Sequence, residues 1–165
     1  MSLTKTHVLW SSAKHSPYKV SMATIQAQLL SGRYRLGSLV RHWKKNYDGH
    51  CLLSKECVDS LEDIMHFVQL CPGLDTARKE LRKFTELYAS NLNDLPSSLL
   101  LKLSSIDNPS FCQFMLDCSA VPEVISLCQQ SSDDILGHYF NVTRIWIFKL
   151  HRERQKHLLS LGATC

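Results

Sequence analysis

The sequence has no long apolar run. Its longest apolar stretches, such as residues 97–103, fall far short of the ~20 residues that a membrane-spanning helix needs. The first 19 residues also lack the continuous apolar segment of a signal peptide. We therefore expect a soluble, intracellular protein of the cytoplasm and/or nucleus, with no membrane partner.

The sequence also lacks convincing strand patterns, internal repeats and low-complexity tracts. Apolar residues recur instead at the three- and four-residue spacing of amphipathic helices. A chain of 165 residues with 44% apolar content can bury a core of one domain. The expected fold class is all-α, with a long C-terminal helix.

Start and stop signals place the predicted helices. They run over residues 21–31, 37–45, 60–71, 74–91, 97–103, 109–118, 122–130 and 132–162. Ser60 and Asp63 form a capping-box-like pair, and Ser132 caps the last helix. The predicted organisation is a flexible segment (1–20), a basic helical segment with the cysteine cluster (21–91), a linker (92–110) and a C-terminal helical segment packing on the rest (111–165).

Charge is strongly segregated along the chain. Residues 1–50 carry a net charge of +7, residues 51–140 carry −7 and residues 141–165 carry +4. Basic ends around an acidic middle favour a polyanion partner for the ends. The alternative is that the ends and the middle attract each other within the fold.

The basic segment, residues 33–45, interleaves cations with aromatic side chains. Its candidate nucleic-acid-binding residues are Arg33, Tyr34, Arg35, Arg41, Lys44 and Lys45. Cations neutralise phosphates, and exposed aromatic rings stack on unpaired bases. The alternative is that Tyr34 and Trp43 face the core, which for Trp43 is the favoured expectation. A second basic group near the C-terminus needs no ligand, because cations there favour the helix dipole. It comprises Lys149, Arg152, Arg154 and Lys156.

Three cysteines and one histidine fall within 21 residues. They are Cys51, Cys57, His66 and Cys71, in the pattern C-x5-C-x8-H-x4-C. Three thiolates and an imidazole form a closed tetrahedral ligand set for a structural Zn²⁺. His50 could replace Cys51 as a ligand. The other alternative is that the thiols are buried on helix faces and His66 is a core histidine.

The order of these segments resembles the C-terminal tail of non-LTR (LINE-type) retrotransposon reverse transcriptases. The similar pieces are LLSGRYRLGSLVRHW, the Cys-Cys pair, LEDIMHFVQLCPGLDTARKEL, FCQFMLDCSAVPEVISLCQQ and NVTRIWIFKLHRERQ, within residues 24–158. The resemblance implies a zinc-knuckle-like element with Cys51, Cys57, His66 and Cys71 as ligands. It also implies binding of RNA or DNA, and a protein partner is a further alternative.

Signatures of catalysis are missing from the sequence. It contains no Tyr-x-Asp-Asp motif of a polymerase palm and no endonuclease constellation. Cys112, Cys118 and Cys128 with His138 could supply a nucleophile and a base, but Asp117 would raise a thiol pKa rather than lower it. We therefore expect no enzymatic activity and no small-molecule substrate. The chain is then a non-catalytic module, a protein-interaction module or a transposon-derived relic.

Overall fold

The structure, a computed structural model, describes residues 7–13, 15–57, 59–89, 109–130 and 135–162. In these residues the fold is all-α, as predicted, and an isolated bridge between His50 and Leu61 is the only β-type pairing. The α-helices are α1 (Val8–Ser11), α2 (Pro17–Leu30), α3 (Gly37–Val40), α4 (Asp75–Ala89), α5 (Pro109–Leu116), α6 (Pro122–Gln130) and α7 (Ile135–Ser160). No helix in this part of the chain is long and apolar enough to cross a bilayer.

Helix α7 is the centre of the helical packing. It contacts α1, α2, α4, α5 and α6. One face of it is buried, since Tyr139, Thr143, Trp146 and Leu150 are at most 2% exposed. At 26 residues it spans about 39 Å.

Buried polar side chains fix the positions of the helices around α7. The amide Nε2 of Gln26 donates to the carbonyl of Met115 at 2.8 Å and lies 3.2 Å from Thr143 Oγ1, which joins α2, α5 and α7. The indole N–H of Trp146 donates to Thr85 Oγ1 at 2.8 Å, which joins α7 to α4. These bonds satisfy polar groups that would otherwise be costly to bury.

The N-terminal region departs from the predicted boundaries. Helix α2 begins at Pro17 instead of Ser21, because Ser16 Oγ accepts the Lys19 N–H and proline is already set for the first helical position. Leu9 and Ala13, in the segment expected to be flexible, are buried. The predicted boundary at residue 20 therefore falls inside a helix.

Two further helix predictions are wrong in detail. Helix α3 ends at Val40 rather than Lys45, because residues 41–45 are all exposed and offer no apolar face to bury. Ser60 does not begin a helix. The next helical turn is capped by Asp63, whose Oδ1 accepts the His66 N–H at 2.7 Å. The predicted helix at 97–103 and the predicted cap Ser132 lie outside the described residues.

Candidate metal centre and basic surface

The first two candidate ligands lie in a loop closed by antiparallel backbone pairing. The N–H of Cys51 donates to the carbonyl of Ser60 at 2.9 Å, and the N–H of Glu62 donates to the carbonyl of Gly49 at 3.0 Å. A 3-10 turn, Lys55–Cys57, shortens the five-residue gap, with the Cys57 N–H bonded to the Ser54 carbonyl at 3.0 Å. This folding directs both sulfur atoms to one side of the loop.

The second two ligands are brought together by a π-helix, His66–Leu70. Residues five apart lie about 140° apart around an ordinary α-helix, so His66 and Cys71 would diverge there. The wider turn instead places the N–H of Cys71 on the carbonyl of His66 at 2.8 Å. The H-x4-C spacing thus matches one turn of the π-helix.

Gly73 allows the two halves of the cluster to meet. It lies in the 3-10 turn Pro72–Leu74, against the loop that carries Cys51 and Cys57. A Cβ at this position would lie 2.7 Å from the carbonyl oxygen of Leu53, too close for any other residue without displacement of that backbone. Steric contact with the Leu53 backbone therefore explains why glycine follows Cys71-Pro72.

The four candidate ligands converge in the interior. All are buried, and their ligand atoms lie within 4.8 Å of one another, so the cluster could hold a metal ion. The Cys71 Sγ is 3.7 Å from the Cys51 Sγ and 3.9 Å from the Cys57 Sγ, well beyond the ~2.05 Å of a disulfide. The His66 Nε2 is buried with no hydrogen-bond partner among the described residues, which is costly unless the nitrogen has a ligand.

A cation that binds to the two loop thiols would have to displace their protons, which the surroundings hold tightly. The thiol contact with Cys71, together with burial, raises the pKa of Cys51 to about 12. Burial also raises the pKa of Cys57, against a hydrogen bond from the Gly73 N–H that lowers it. The N–H of Leu53 donates to the Cys51 Sγ at 3.5 Å. Backbone donors of this kind orient and stabilise metal-bound thiolates.

The alternative ligand His50 points elsewhere. Its Nδ1 lies 3.1 Å from Asp48 Oδ2, and its backbone N–H donates to Asp48 Oδ1 at 2.9 Å. Cys51, not His50, completes the set of four.

Two supporting side chains were not identified from the sequence as parts of the site. Arg78, almost fully buried, donates to the Cys71 carbonyl and pairs with Asp75 at 2.5 Å. Glu62, 3% exposed, forms a bidentate pair with Arg154 of α7, at 2.6 and 2.9 Å. Arg78 lies in the helix that follows Cys71-Pro72, and this position is the sequence signal that could have indicated it. No local pattern indicates a pair separated by 92 residues.

The basic segment is placed only partly as expected. Its cations, Arg33, Arg35, Arg41, Lys44 and Lys45, are all exposed. Tyr34, however, is 5% exposed and its ring lies 5.5 Å from that of Phe67, so it is not available to stack on a base. Trp43, expected in the core, is 69% exposed. Tyr34 is therefore buried and Trp43 exposed, the reverse of what was expected.

The C-terminal basic group differs from the basic segment in its partners. Lys149 pairs with Glu80 at 2.6 Å, and Arg154 pairs with Glu62, so this end of the chain does attract the acidic middle. Within the described residues, no comparable ion pair joins a cation of the basic segment to an acid. The cations of the basic segment therefore face solvent.

The thiols of Cys112 and Cys118 do not resemble activated nucleophiles. Burial, together with the charge of Asp63, raises the pKa of Cys112 to about 11. Burial and then Asp117 raise the pKa of Cys118 still further. Both thiols are therefore protonated near neutral pH.

Comparison with known proteins adds no further assignment. No protein-family model, curated protein or solved structure matches the chain.

Proposed function

We propose that the protein is a non-catalytic, zinc-stabilised module that binds RNA or DNA through the basic segment. The observation that carries the proposal is the convergence of Cys51, Cys57, His66 and Cys71 directly beside a segment whose cations face solvent. The resemblance to retrotransposon reverse transcriptase tails supports the same conclusion and suggests where the module comes from.

The cluster dimensions support zinc as the ion. Zinc–thiolate bonds of ~2.3 Å in a tetrahedron put neighbouring sulfur atoms about 3.8 Å apart. The observed separations from the Cys71 Sγ, 3.7 and 3.9 Å, bracket that value. Three thiolates and one imidazole suit zinc among the divalent ions and leave no open coordination position. Such an ion stabilises the fold and performs no chemistry.

The contacts of Glu62 support a connection between the metal centre and the basic segment. Glu62 Oε2 accepts the Gly37 N–H at 2.8 Å, just after Arg35, and the same carboxylate pairs with Arg154. The Arg154 Nη2 in turn donates to the Arg35 carbonyl at 2.9 Å. The backbone of the basic segment is thereby fixed to the loop of Cys51 and Cys57, so the cations lie on a rigid support.

The zinc proposal is tested by the metal content of purified protein, measured by mass spectrometry. We expect one equivalent of zinc in the wild-type protein and almost none in Cys57→Ser. The matched control Cys128→Ser changes a cysteine outside the cluster and should keep its zinc. Metal-free wild-type protein that remains folded would contradict the proposal.

Nucleic-acid binding is tested by fluorescence anisotropy with single-stranded RNA and with duplex DNA. We expect affinity to fall steeply as salt is added, because each neutralised phosphate releases counterions. The triple variant Arg33→Glu, Arg35→Glu, Arg41→Glu should abolish binding. The control Lys19→Glu, Lys79→Glu, Lys83→Glu has the same change of net charge at exposed positions outside the basic segment and the metal loop.

An equal loss of affinity in both triple variants would mean that binding depends only on net charge and not on the basic segment. Undetectable or salt-insensitive binding in the wild-type protein would overturn the nucleic-acid proposal. The alternative of a helical protein-interaction module would then be supported by a pull-down that nuclease treatment leaves unchanged, with no RNA recovered.

A further inference from the structure

A small pocket lies between the start of the basic segment and helix α7. Its volume is about 170 Å³, and Arg33, Arg35 and Gln28 line it on one side. His151, Arg154 and Gln155 of α7 line the other. Pockets that enclose drug-sized ligands measure about 300–1,000 Å³, so this one suits a single chemical group rather than a whole cofactor.

The rear of the pocket is held by interactions that are already in place. The hydroxyl of Tyr34 lies 2.7 Å from His151 Nδ1, and the Arg154 guanidinium sits 5.5 Å from the centre of the Tyr34 ring. Arg154 is further fixed by the bidentate pair with Glu62. A ligand group therefore meets a preorganised wall, which reduces the entropy lost on binding.

The electrostatics of the pocket favour an anion. None of the residues that line it is acidic, in the part of the chain that the structure describes. Burial, followed by the charges of Arg154 and Arg152, lowers the pKa of His151, so the imidazole is neutral near pH 7. The Glu62 carboxylate balances Arg154, which leaves the exposed Arg33 and Arg35 as uncompensated positive charge at the rim.

We propose that this pocket binds one phosphate group of the nucleic acid, between Arg33 and Arg35 on one side and Gln155 on the other. Guanidinium groups match the geometry of phosphate oxygens, and glutamine amides donate to the same atoms. The proposal rests on the proposed function, since it assigns a particular phosphate contact to the surface already described. The phosphate belongs either to the backbone or to a 5′ terminus.

The deciding variant is Gln155→Glu, which places a carboxylate in the pocket without touching the basic segment. The matched control is Gln129→Glu, the same substitution at an exposed position of α6. Anisotropy is measured with one single-stranded RNA prepared with a 5′-phosphate and with a 5′-hydroxyl. We expect Gln155→Glu to weaken binding about tenfold and Gln129→Glu to leave it unchanged, because like charges repel at short range.

The two RNAs distinguish the sources of the phosphate. Equal weakening with both assigns the pocket to a backbone phosphate, whereas weakening confined to the 5′-phosphorylated RNA assigns it to a terminal one. A second pair, Arg35→Gln and Arg41→Gln, removes one charge from the basic segment inside and outside the pocket. If the pocket binds a phosphate, Arg35→Gln should lose more affinity than Arg41→Gln. If only general charge attraction acts, the two variants should lose the same affinity.

The pocket and the proposed function can fail separately. Wild-type affinity in Gln155→Glu, with equal losses in the two arginine variants, would overturn the pocket and leave nucleic-acid binding intact. If the wild-type protein binds neither of these RNAs and no duplex DNA, the proposed function fails. Pyrophosphate is then the probe: thermal stabilisation of the wild-type protein but not of Gln155→Glu would keep an anion pocket, and no stabilisation would overturn it.

Discussion

The cysteines at positions 51, 57 and 71 and those at 112 and 118 are buried to a similar degree, yet their surroundings differ in kind. Cys112 lies in helix α5, where its thiol donates to the Ile64 carbonyl at 3.9 Å, and Cys118 follows that helix in a 3-10 turn. The first set lies in loops and tight turns and converges on a common centre with His66. Burial of a thiol therefore does not indicate a metal site, whereas convergence does.

The difference also concerns what holds each region together. Around Cys112 and Cys118, aromatic pairs such as Phe111–Trp146 and Phe114–Tyr139 pack at 5.5 and 5.4 Å between ring centres. Residues 49–74 have short turns, an isolated bridge and few continuous hydrogen-bonded elements. In this region a metal ion bound to the cluster would supply the cross-links that helix packing supplies elsewhere.

The largest effect is expected from breaking the first region at Cys71. The variant Cys71→Ser removes the sulfur that contacts both other thiols, so residues 49–74 lose their common centre. We expect a loss of more than about 5 kcal/mol in the free energy of unfolding of this region, since metal binding there is coupled to folding. Hydrogen exchange should show the loss of protection in residues 49–74.

The control for this prediction is Cys112→Ser, which changes a buried thiol of the helical core. It should cost about 1–2 kcal/mol, leave the metal in place and preserve protection in residues 49–74. A Cys71→Ser protein with unchanged protection in that segment would show that the cluster does not organise it.

The next largest effect is expected where the two regions are joined. Glu62→Gln leaves the Arg154 guanidinium without its buried partner charge, both side chains being only 4% exposed. We expect a loss of about 3 kcal/mol in global stability, measured by denaturant unfolding. Glu80→Gln breaks the exposed pair with Lys149 and should be indistinguishable from wild type. Equal effects for the two variants would mean that the buried pair does not couple the regions.

A smaller effect is expected from the close approach at Gly73. Gly73→Ala pushes the turn after Cys71 away from Leu53, and overpacking of this size costs about 1–3 kcal/mol. The metal should also be lost faster to a chelator, because the two halves of the cluster separate. Gly32→Ala has open space around it and a positive φ of 65°, so it should cost about 1 kcal/mol with no change in chelator kinetics. Identical chelator kinetics in the two variants would argue against the steric role.

The sequence indicated the candidate metal ligands because cysteine and histidine spacing is local information. All four candidate ligands converge, and the proline starts at positions 109 and 122 are confirmed. The close approach of Gly73 to Leu53 and the π-helix that unites His66 with Cys71 were not predicted. Both depend on how one loop approaches another, which no helical periodicity encodes.

The basic segment shows the same limit of prediction from local sequence. Tyr34 and Trp43 are nine residues apart in a cationic stretch, and nothing local to either residue shows which of the two is buried. Their burial is decided by partners far along the chain, since Tyr34 packs against Phe67 and lies beside His151. Trp43 follows the end of α3 and is 69% exposed. The pairing of Glu62 with Arg154 is a long-range contact of the same kind, and the sequence did not indicate it.

The smallest effect distinguishes the two sets of cysteines by their titration. Burial, with a contribution from Asp63, raises the pKa of Cys112 to about 11, above the ~8.5 of an unfolded thiol. The folded state therefore holds this proton more tightly. Its contribution to stability is complete below pH 8.5 and is lost as the pH rises toward 11. Between pH 7.5 and 9.5 the loss amounts to about 1 kcal/mol.

The variant Cys112→Val should remove that part of the pH dependence. Denaturant unfolding of metal-loaded protein at pH 7.5 and pH 9.5 measures it, with the difference between the two pH values compared for wild type and variant. Metal-bound thiolates carry no proton in this range, so the cluster should add nothing to the slope. An unchanged slope in Cys112→Val would mean that the alkaline loss of stability arises from other groups, and that the thiol of the helical core is less isolated from solvent than its burial implies.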